Sequence, residues 1–422
     1  MAKIKEIHAR EILDSRGSPT VETKITLDNG IFGITSVPSG ASLGRYEALE
    51  LRDRDPNRYH GLGVMKAVEN VNHIIAPRLN GADPVKQFDL DQFLVNLDGT
   101  PNKTKLGANA ILSVSMGIAR VAALAQNIPL YKHINNLDNT IEVPHTYDKI
   151  PTPTFNIING GKHGAGNLDF QEFHVIPASN KAYHDALRMG EEIYQALKDV
   201  LTYRNAIHSI GDEGGFAPNL FTNADALESI LQAVRTTPYK LGIDVFFGLD
   251  LASDQFKKEG KYVIKDRPEA YNTNDFIEYL KNLHKIYHLL VLEDPLSDDD
   301  FDNWAKLTKT LGSEVYIVGD DLLATNIERL KIAISKGSCN AILIKPNQIG
   351  TVTETMAVIR LARKNNFKII VSHRSGETND DFIADFAVGI VADYVKFGAP
   401  VRGERVTKYN RLLEIEEEII RK

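Results

Sequence analysis

From residue 245 onward one hydrophobic pattern repeats. Short apolar runs stop abruptly on polar residues: VFFGLD at Asp250, LLVLED at Glu293 and Asp294, YIVGDD at Asp320, ILIKPN at Lys345, IIVSHRS at His373 and DYVKFG at Lys396. Runs of this length with turn signals behind them predict strands buried on both faces. Between them lie helical patterns: Ile327, Leu330, Ile332 and Ala333 up to Gly337, then Met356, Ile359 and Ala362 before Asn365. From Glu293 to Lys396 the strand ends recur about every 25 residues, one strand and one return helix per step. The spacing predicts an α/β fold with a parallel (βα) barrel, and EGKYVI (Glu259 to Ile264) as an inserted strand or hairpin. Barrel strand ends converge on one mouth, where such folds keep their chemistry. Asp250, Glu293, Asp320, Lys345, His373, Arg374 and Lys396 are therefore expected around a common cavity.

The first third of the chain has a different pattern. Thr20 to Leu27 alternates, followed by Asn29-Gly30 and the run IFGITSV. Asn-Gly between two such runs predicts a hairpin with a type I′ turn, which needs positive φ at both centres. Helical patterns follow around Val64 to Ile75, Val85 to Leu94 and Ala108 to Ala125. Strands followed by helices predict an N-terminal α+β domain. The polar, proline-bearing stretch Asn135 to Thr154 places the boundary, giving domains 1–138 and 139–422. Ala108 to Ala125 is the longest apolar segment, yet Asn109, Ser113, Ser115, Gly117 and Arg120 interrupt it. It predicts a buried helix, not a membrane span. His284 and His288 stand four apart with no acidic partner to complete a zinc site, and are expected to pack or be solvated at a helix end. Trp304 is expected in the core.

Composition narrows the function classes. With 422 residues and 43 % hydrophobic content the chain can bury a sizeable core. A net charge of −7 gives no electrostatic footprint for nucleic acid. The single cysteine, Cys339, at the start of a predicted strand, reads as a buried inert thiol. MAKIKEIHAR has no apolar stretch of signal-peptide length, which predicts a cytoplasmic protein.

Three carboxylates at strand ends, Asp250, Glu293 and Asp320, are hard oxygen ligands suited to Mg²⁺ or Mn²⁺; helix capping or ion pairs with Lys345 and Lys396 are the alternative. Lys345 beside such a cation is placed as a base, its pKa drawn down toward ~7–8. Arg374 and Ser375 can hold a phosphate or carboxylate. Glu213, in GDEGG, can point into the cavity as the complementary acid. Together these groups describe proton abstraction α to a carboxylate, followed by loss of a β leaving group. Two glycine-rich stretches, Val37 to Gly44 and Asn159 to Asn167, do not fit a nucleotide P-loop. They read as surface loops or as a pair of lids over the mouth.

These residues, with PSGAS, NIINGGKH, QEF, GDEGG, IKPNQIG, SHRSGE and K-x-G-A-P in order along the whole chain, resemble the enolase family. Enolase-superfamily enzymes are known to pair a Lys or His base with Mg²⁺. The resemblance implies a C-terminal (β/α)8 barrel with an N-terminal α+β capping domain, and a hydro-lyase converting 2-phospho-D-glycerate to phosphoenolpyruvate in glycolysis. It implies two Mg²⁺ per site, a structural ion on Asp250, Glu293 and Asp320, and a catalytic ion that Ser42 joins when the PSGAS loop closes. Lys345 would take the C2 proton and Glu213 would protonate the departing hydroxide. Gln171, Glu172, His163, Arg374, Ser375 and Lys396 would bind substrate or support that step, with His373 lining the site. Family members form dimers, sometimes octamers, in the cytoplasm and often also on bacterial surfaces. The sequence departs from the usual family residues at Ser18, Leu43, Asp254-Gln255 and Phe397. Leu43 bears on loop closure and Phe397 on packing beside Lys396. The rival readings are another dehydratase or cycloisomerase of the same superfamily, or a binding protein. The latter would be a surface receptor for plasminogen, recognised through Lys422, or a scaffold in an RNA-degrading assembly; plasminogen binding also stands as a second role beside the enzyme activity.

Overall fold

The computed structural model describes residues 2–40, 44–137, 149–164 and 166–421. Ser42, Leu43, Lys422 and the expected 138/139 domain boundary lie outside the described residues. The chain opens with an antiparallel sheet of β1 (Ile4–Leu13), β2 (Pro19–Leu27) and β3 (Phe32–Ser36). The β2–β3 hairpin forms as expected, but its turn differs. Of Asn29 and Gly30 only the glycine has positive φ, at 86°. Leu27 N–H donates to the Ile31 carbonyl (2.7 Å) and Gly30 N–H to the Leu27 carbonyl (3.0 Å). A three-residue loop with a left-handed glycine at its end replaces the type I′ turn. The Asn29 side chain accepts from Ile31 N–H at 3.1 Å, stabilising that alternative.

Helices α1 (Met65–Glu69) and α2 (Ala76–Leu79), joined by a wider turn over Asn70–Ile75, precede α3 (Gln87–Asp98), α4 (Ala108–Ala125) and α5 (Leu130–Leu137). Helix α4 carries apolar residues on opposite sides, and 83 % of it is buried. Ala110, Ile111, Val114 and Ile118 belong to the core under the sheet, whereas Leu112, Met116 and Ala119 belong to the barrel core. One helix therefore supplies both cores. Its polar residues serve as ties: Ser113 Oγ bonds Thr23 Oγ1 (2.7 Å) and Ser115 Oγ accepts from Val352 N–H (3.0 Å).

The barrel comprises β4 (Thr152–Asn159), β5 (Glu172–Pro177), β6 (Val245–Asp250), β9 (Leu289–Glu293), β10 (Tyr316–Gly319), β11 (Ala341–Ile344), β12 (Lys368–Ser372) and β13 (Tyr394–Lys396), closed in that order. The inserted hairpin expected at 259–264 is present as β7 (Lys257–Lys258) and β8 (Lys261–Tyr262). The parallel expectation holds for every barrel pair except those of β5, which runs antiparallel to β4 and to β6. Among its described residues the link from β4 to β5 holds a single turn of helix, Gly161–His163, too short for a crossover helix, so the chain doubles back. Two helices, α6 (Tyr183–Tyr203) and α7 (Asn223–Arg235), then return to β6. From there strand and helix alternate through α8 (Thr273–Tyr287), α9 (Phe301–Leu311), α10 (Ile327–Lys336), α11 (Val352–Lys364), α12 (Phe382–Gly389) and α13 (Gly403–Ile420). Asn272, Asp300, Asn326 and Thr351 cap α8 to α11 by accepting first-turn N–H groups.

The barrel interior is packed, with Ile176, Val291, Val318, Leu343 and Ile370 filling its floor. Trp304 is fully buried and its Nε1 donates to the Ser297 carbonyl at 2.9 Å. Cys339 is buried. His284 packs at the end of α8, bonded to the Leu289 carbonyl (3.0 Å) and to Glu314 (3.2 Å).

Candidate active site

The floor below and the loops above leave one polar cavity of ≈ 290 Å³ at the mouth. Of the described residues proposed from the sequence, all but Glu293 line it. Asp250 ends β6 and Lys396 ends β13, while Asp320, Lys345 and His373 follow β10, β11 and β12. Glu172 begins β5 and pairs across the ladder with Asp250. Because β5 is reversed, its first residue faces the mouth that the other strands reach with their last. Both glycine-rich stretches contribute to the lining, through Gly44 and Arg45 on one side and Lys162 and His163 on the other. Gly214, at φ 90°, makes the tight turn that holds Glu213 inward; its Cβ would come within 3.1 Å of Ala399 and Val401.

On one wall Lys345 Nζ sits 2.5 Å from Asp320 Oδ2. Burial lowers the Lys345 pKa, but Asp320 outweighs it and holds the ammonium above its ordinary value. The expected downward shift is therefore not present while Asp320 faces the amine. At the base, Lys396 Nζ contacts Glu293 (2.8 Å), Glu172 (3.1 Å) and Asp250 (3.4 Å). Glu293 lies behind Lys396, buried and outside the cavity surface.

The surrounding carboxylates carry more negative charge than the two lysines balance. Burial and then Asp250 push Glu293 well above the carboxylate range; burial and then Asp321 do the same to Asp294. Asp321 is pushed to about 7 by burial and Asp320, and Asp250 is also raised by burial. Three oxygens from Asp294, Asp320 and Asp321 lie within 4.8 Å of one another. Hard oxygen donors with uncompensated charge fit a divalent cation such as Mg²⁺. Asp320 thus groups with Asp294 and Asp321, while Asp250 and Glu293 meet at Lys396.

On the opposite wall His163 Nδ1 lies 3.2 Å from Glu172 Oε1 and 3.5 Å from Glu213 Oε1, charge contacts without hydrogen-bond alignment. Burial disfavours the imidazolium, yet Glu213 and Glu172 overcome it and raise His163 to about 9. Burial and Glu172 raise Glu213, while His163 and His373 outweigh them and bring it to about 2. At neutral pH the proton of this wall resides on His163. Glu213 also accepts from Asn156 Nδ2 at 2.8 Å, and Glu172 is bonded to His174 Nε2 at 2.8 Å.

Arg374 forks onto Glu47 at 2.8 and 3.3 Å, tying the segment after the PSGAS motif to the barrel. Gln171 Nε2 donates to Asp250 at 3.0 Å and its oxygen accepts from Gln255 at 2.6 Å. Phe397, one of the departures, is buried and packs 5.9 Å from the Tyr409 ring, away from Lys396 chemistry. Glu47, Asn156, His174 and Arg405 were not among the residues proposed from the sequence. A polar residue inside an apolar strand, as in TFNII, and a His two positions from a Glu on one strand face were legible signals for Asn156 and His174.

Residues 4–134 match the enolase N-terminal domain and residues 147–422 the enolase C-terminal TIM barrel domain. These domains indicate a lyase-type enzyme, and superfamily enzymes use Mg²⁺. The chain belongs to the enolase family.

Proposed function

We propose that this protein interconverts 2-phospho-D-glycerate and phosphoenolpyruvate with Mg²⁺. The observation that carries this reading is the division of one cavity into a lysine wall, an acid–imidazolium wall and an overcharged carboxylate base between them. Asp250, Glu293 and Asp320 would hold a structural ion, with Asp294 and Asp321 bordering it and Ser42 joining a second. Bound Mg²⁺ supplies charge neutralisation for the substrate carboxylate.

Lys345 takes the C2 proton once Asp320 no longer shares it. Arg374 and Ser375 hold the phosphate, so Arg374 must exchange Glu47 for substrate. Lys396 and Gln171 orient the carboxylate end. Glu213, fed from His163, gives its proton to the departing C3 hydroxide; ionised, it accepts a proton from water in the hydration direction. Glu172 and His373 support that exchange. A homo-oligomer, dimer or octamer, working in the cytoplasm completes the reading. The test is phosphoenolpyruvate formation followed by ultraviolet absorbance. Turnover abolished by EDTA and restored by Mg²⁺ supports it, and folded protein without turnover in Mg²⁺ overturns it.

A further inference from the structure

Arg405, on α13, is fully buried, and its guanidinium has an unusual set of partners. Nη1 donates to His373 Nδ1 (2.8 Å) and to the Arg374 carbonyl (2.7 Å). Nη2 donates to the carbonyls of Asp212 (3.1 Å) and Ser375 (2.6 Å). A buried cation usually takes a close carboxylate, but here the nearest, on Glu404, stands 3.5 Å from Nε. The fork is directed instead at the two loops that carry Glu213 and His373-Arg374-Ser375. Gly398 closes the third side, since a Cβ there would lie 3.1 Å from both Arg405 Cδ and His373 Cε1.

Arginine can only donate, so His373 Nδ1 must accept and the ring proton belongs on Nε2. Nε2 is the nitrogen that faces Glu213, 3.6 Å from Oε2. We propose that Arg405 is a positioning residue for the acid half of the site, fixing His373 as the Nε2–H tautomer so that it presents a donor to Glu213. The inference rests on the reading of Glu213 as the acid. When Glu213 passes its proton to the departing hydroxide, water forms and a carboxylate remains. The Nε2–H of His373 is then aimed at the charge that has appeared, without a proton of its own being lost. The same clamp sets the spacing between Glu213 and the Arg374-Ser375 pair, so one side chain relates the acid to the phosphate end of the substrate.

The tautomer is read by imidazole ¹⁵N–¹H correlation spectra of the full-length protein labelled with ¹⁵N-histidine, with His373 assigned by His373→Asn. The expected spectrum shows Nε2–H with an unprotonated, hydrogen-bonded Nδ1, and Arg405→Gln loses that signature. In the same variant kcat falls about 10- to 100-fold while KM changes by less than about threefold. An Nδ1–H tautomer in the unmodified protein overturns the proposal, and this measurement holds even if Arg405→Gln does not fold. A folded Arg405→Gln that keeps the Nε2–H signature, or keeps kcat, overturns it equally. The spectra do not depend on turnover, so an unmodified protein with the expected tautomer and no activity refutes the proposed reaction alone.

Discussion

At the scale of single residues, two contacts bear on the proposed chemistry. Lys345 Nζ stands 2.5 Å from Asp320, which keeps the amine protonated until that carboxylate is engaged elsewhere. Lys345→Ala is expected to lower kcat by ~10²–10⁴ with little change in thermal midpoint; near-normal turnover would refute its role as base. The second contact is His163 with Glu172 and Glu213. The His163 pKa is raised from 6.5 to about 9, so its contribution to stability is complete below pH 6.5 and is lost as pH rises through 9. That of Glu213 is lowered from 4.5 to about 2, so its contribution is complete above pH 4.5 and is lost as pH falls through 2. Both are fully present between pH 4.5 and 6.5. Thermal melts in EDTA are expected to show a decline from pH 6.5 to 9 that His163→Asn removes. An unchanged slope in the variant would contradict the assignment.

At the scale of elements, β5 decides the geometry. Its reversal brings Glu172 to the mouth and lets the short β4–β5 link carry His163 across the cavity. Helix α6 must then lie close against β4. At Gly190 an added Cβ would fall 2.2 Å from the Phe155 ring, which is buried and cannot swing away. Gly190→Ala is expected to cost about 1–3 kcal/mol through overpacking, read from denaturant midpoints at unchanged slope. A cost below about 0.5 kcal/mol would mean that the helix shifts freely on the strand.

At the scale of the whole molecule, the N-terminal layer and the barrel are coupled. Helix α4 belongs to both cores, Arg120 reaches Asp380 (2.6 Å) and Asp381 (3.0 Å), and Asp91 accepts from the Thr353 hydroxyl (2.6 Å). Calorimetry is expected to show one unfolding transition; two well-separated peaks would contradict this coupling. Mg²⁺ is expected to raise the thermal midpoint, and Asp320→Asn to diminish that shift, because binding to the folded state alone stabilises it. An equal shift in the variant would place the ion elsewhere. The sequence by itself determined the strand ends from Asp250 to Lys396 and the buried character of α4, because apolar periodicity and abrupt polar stops are local properties of the chain. It also specified most of the cavity, since barrel strand ends must converge. Only the tertiary structure decided the grouping of Asp294 with Asp320 and Asp321, and the partners of Glu47 and Arg405. Those depend on which distant segments meet: Glu47 finds Arg374, and Arg405 finds Asp212, across long stretches of chain that no local pattern links.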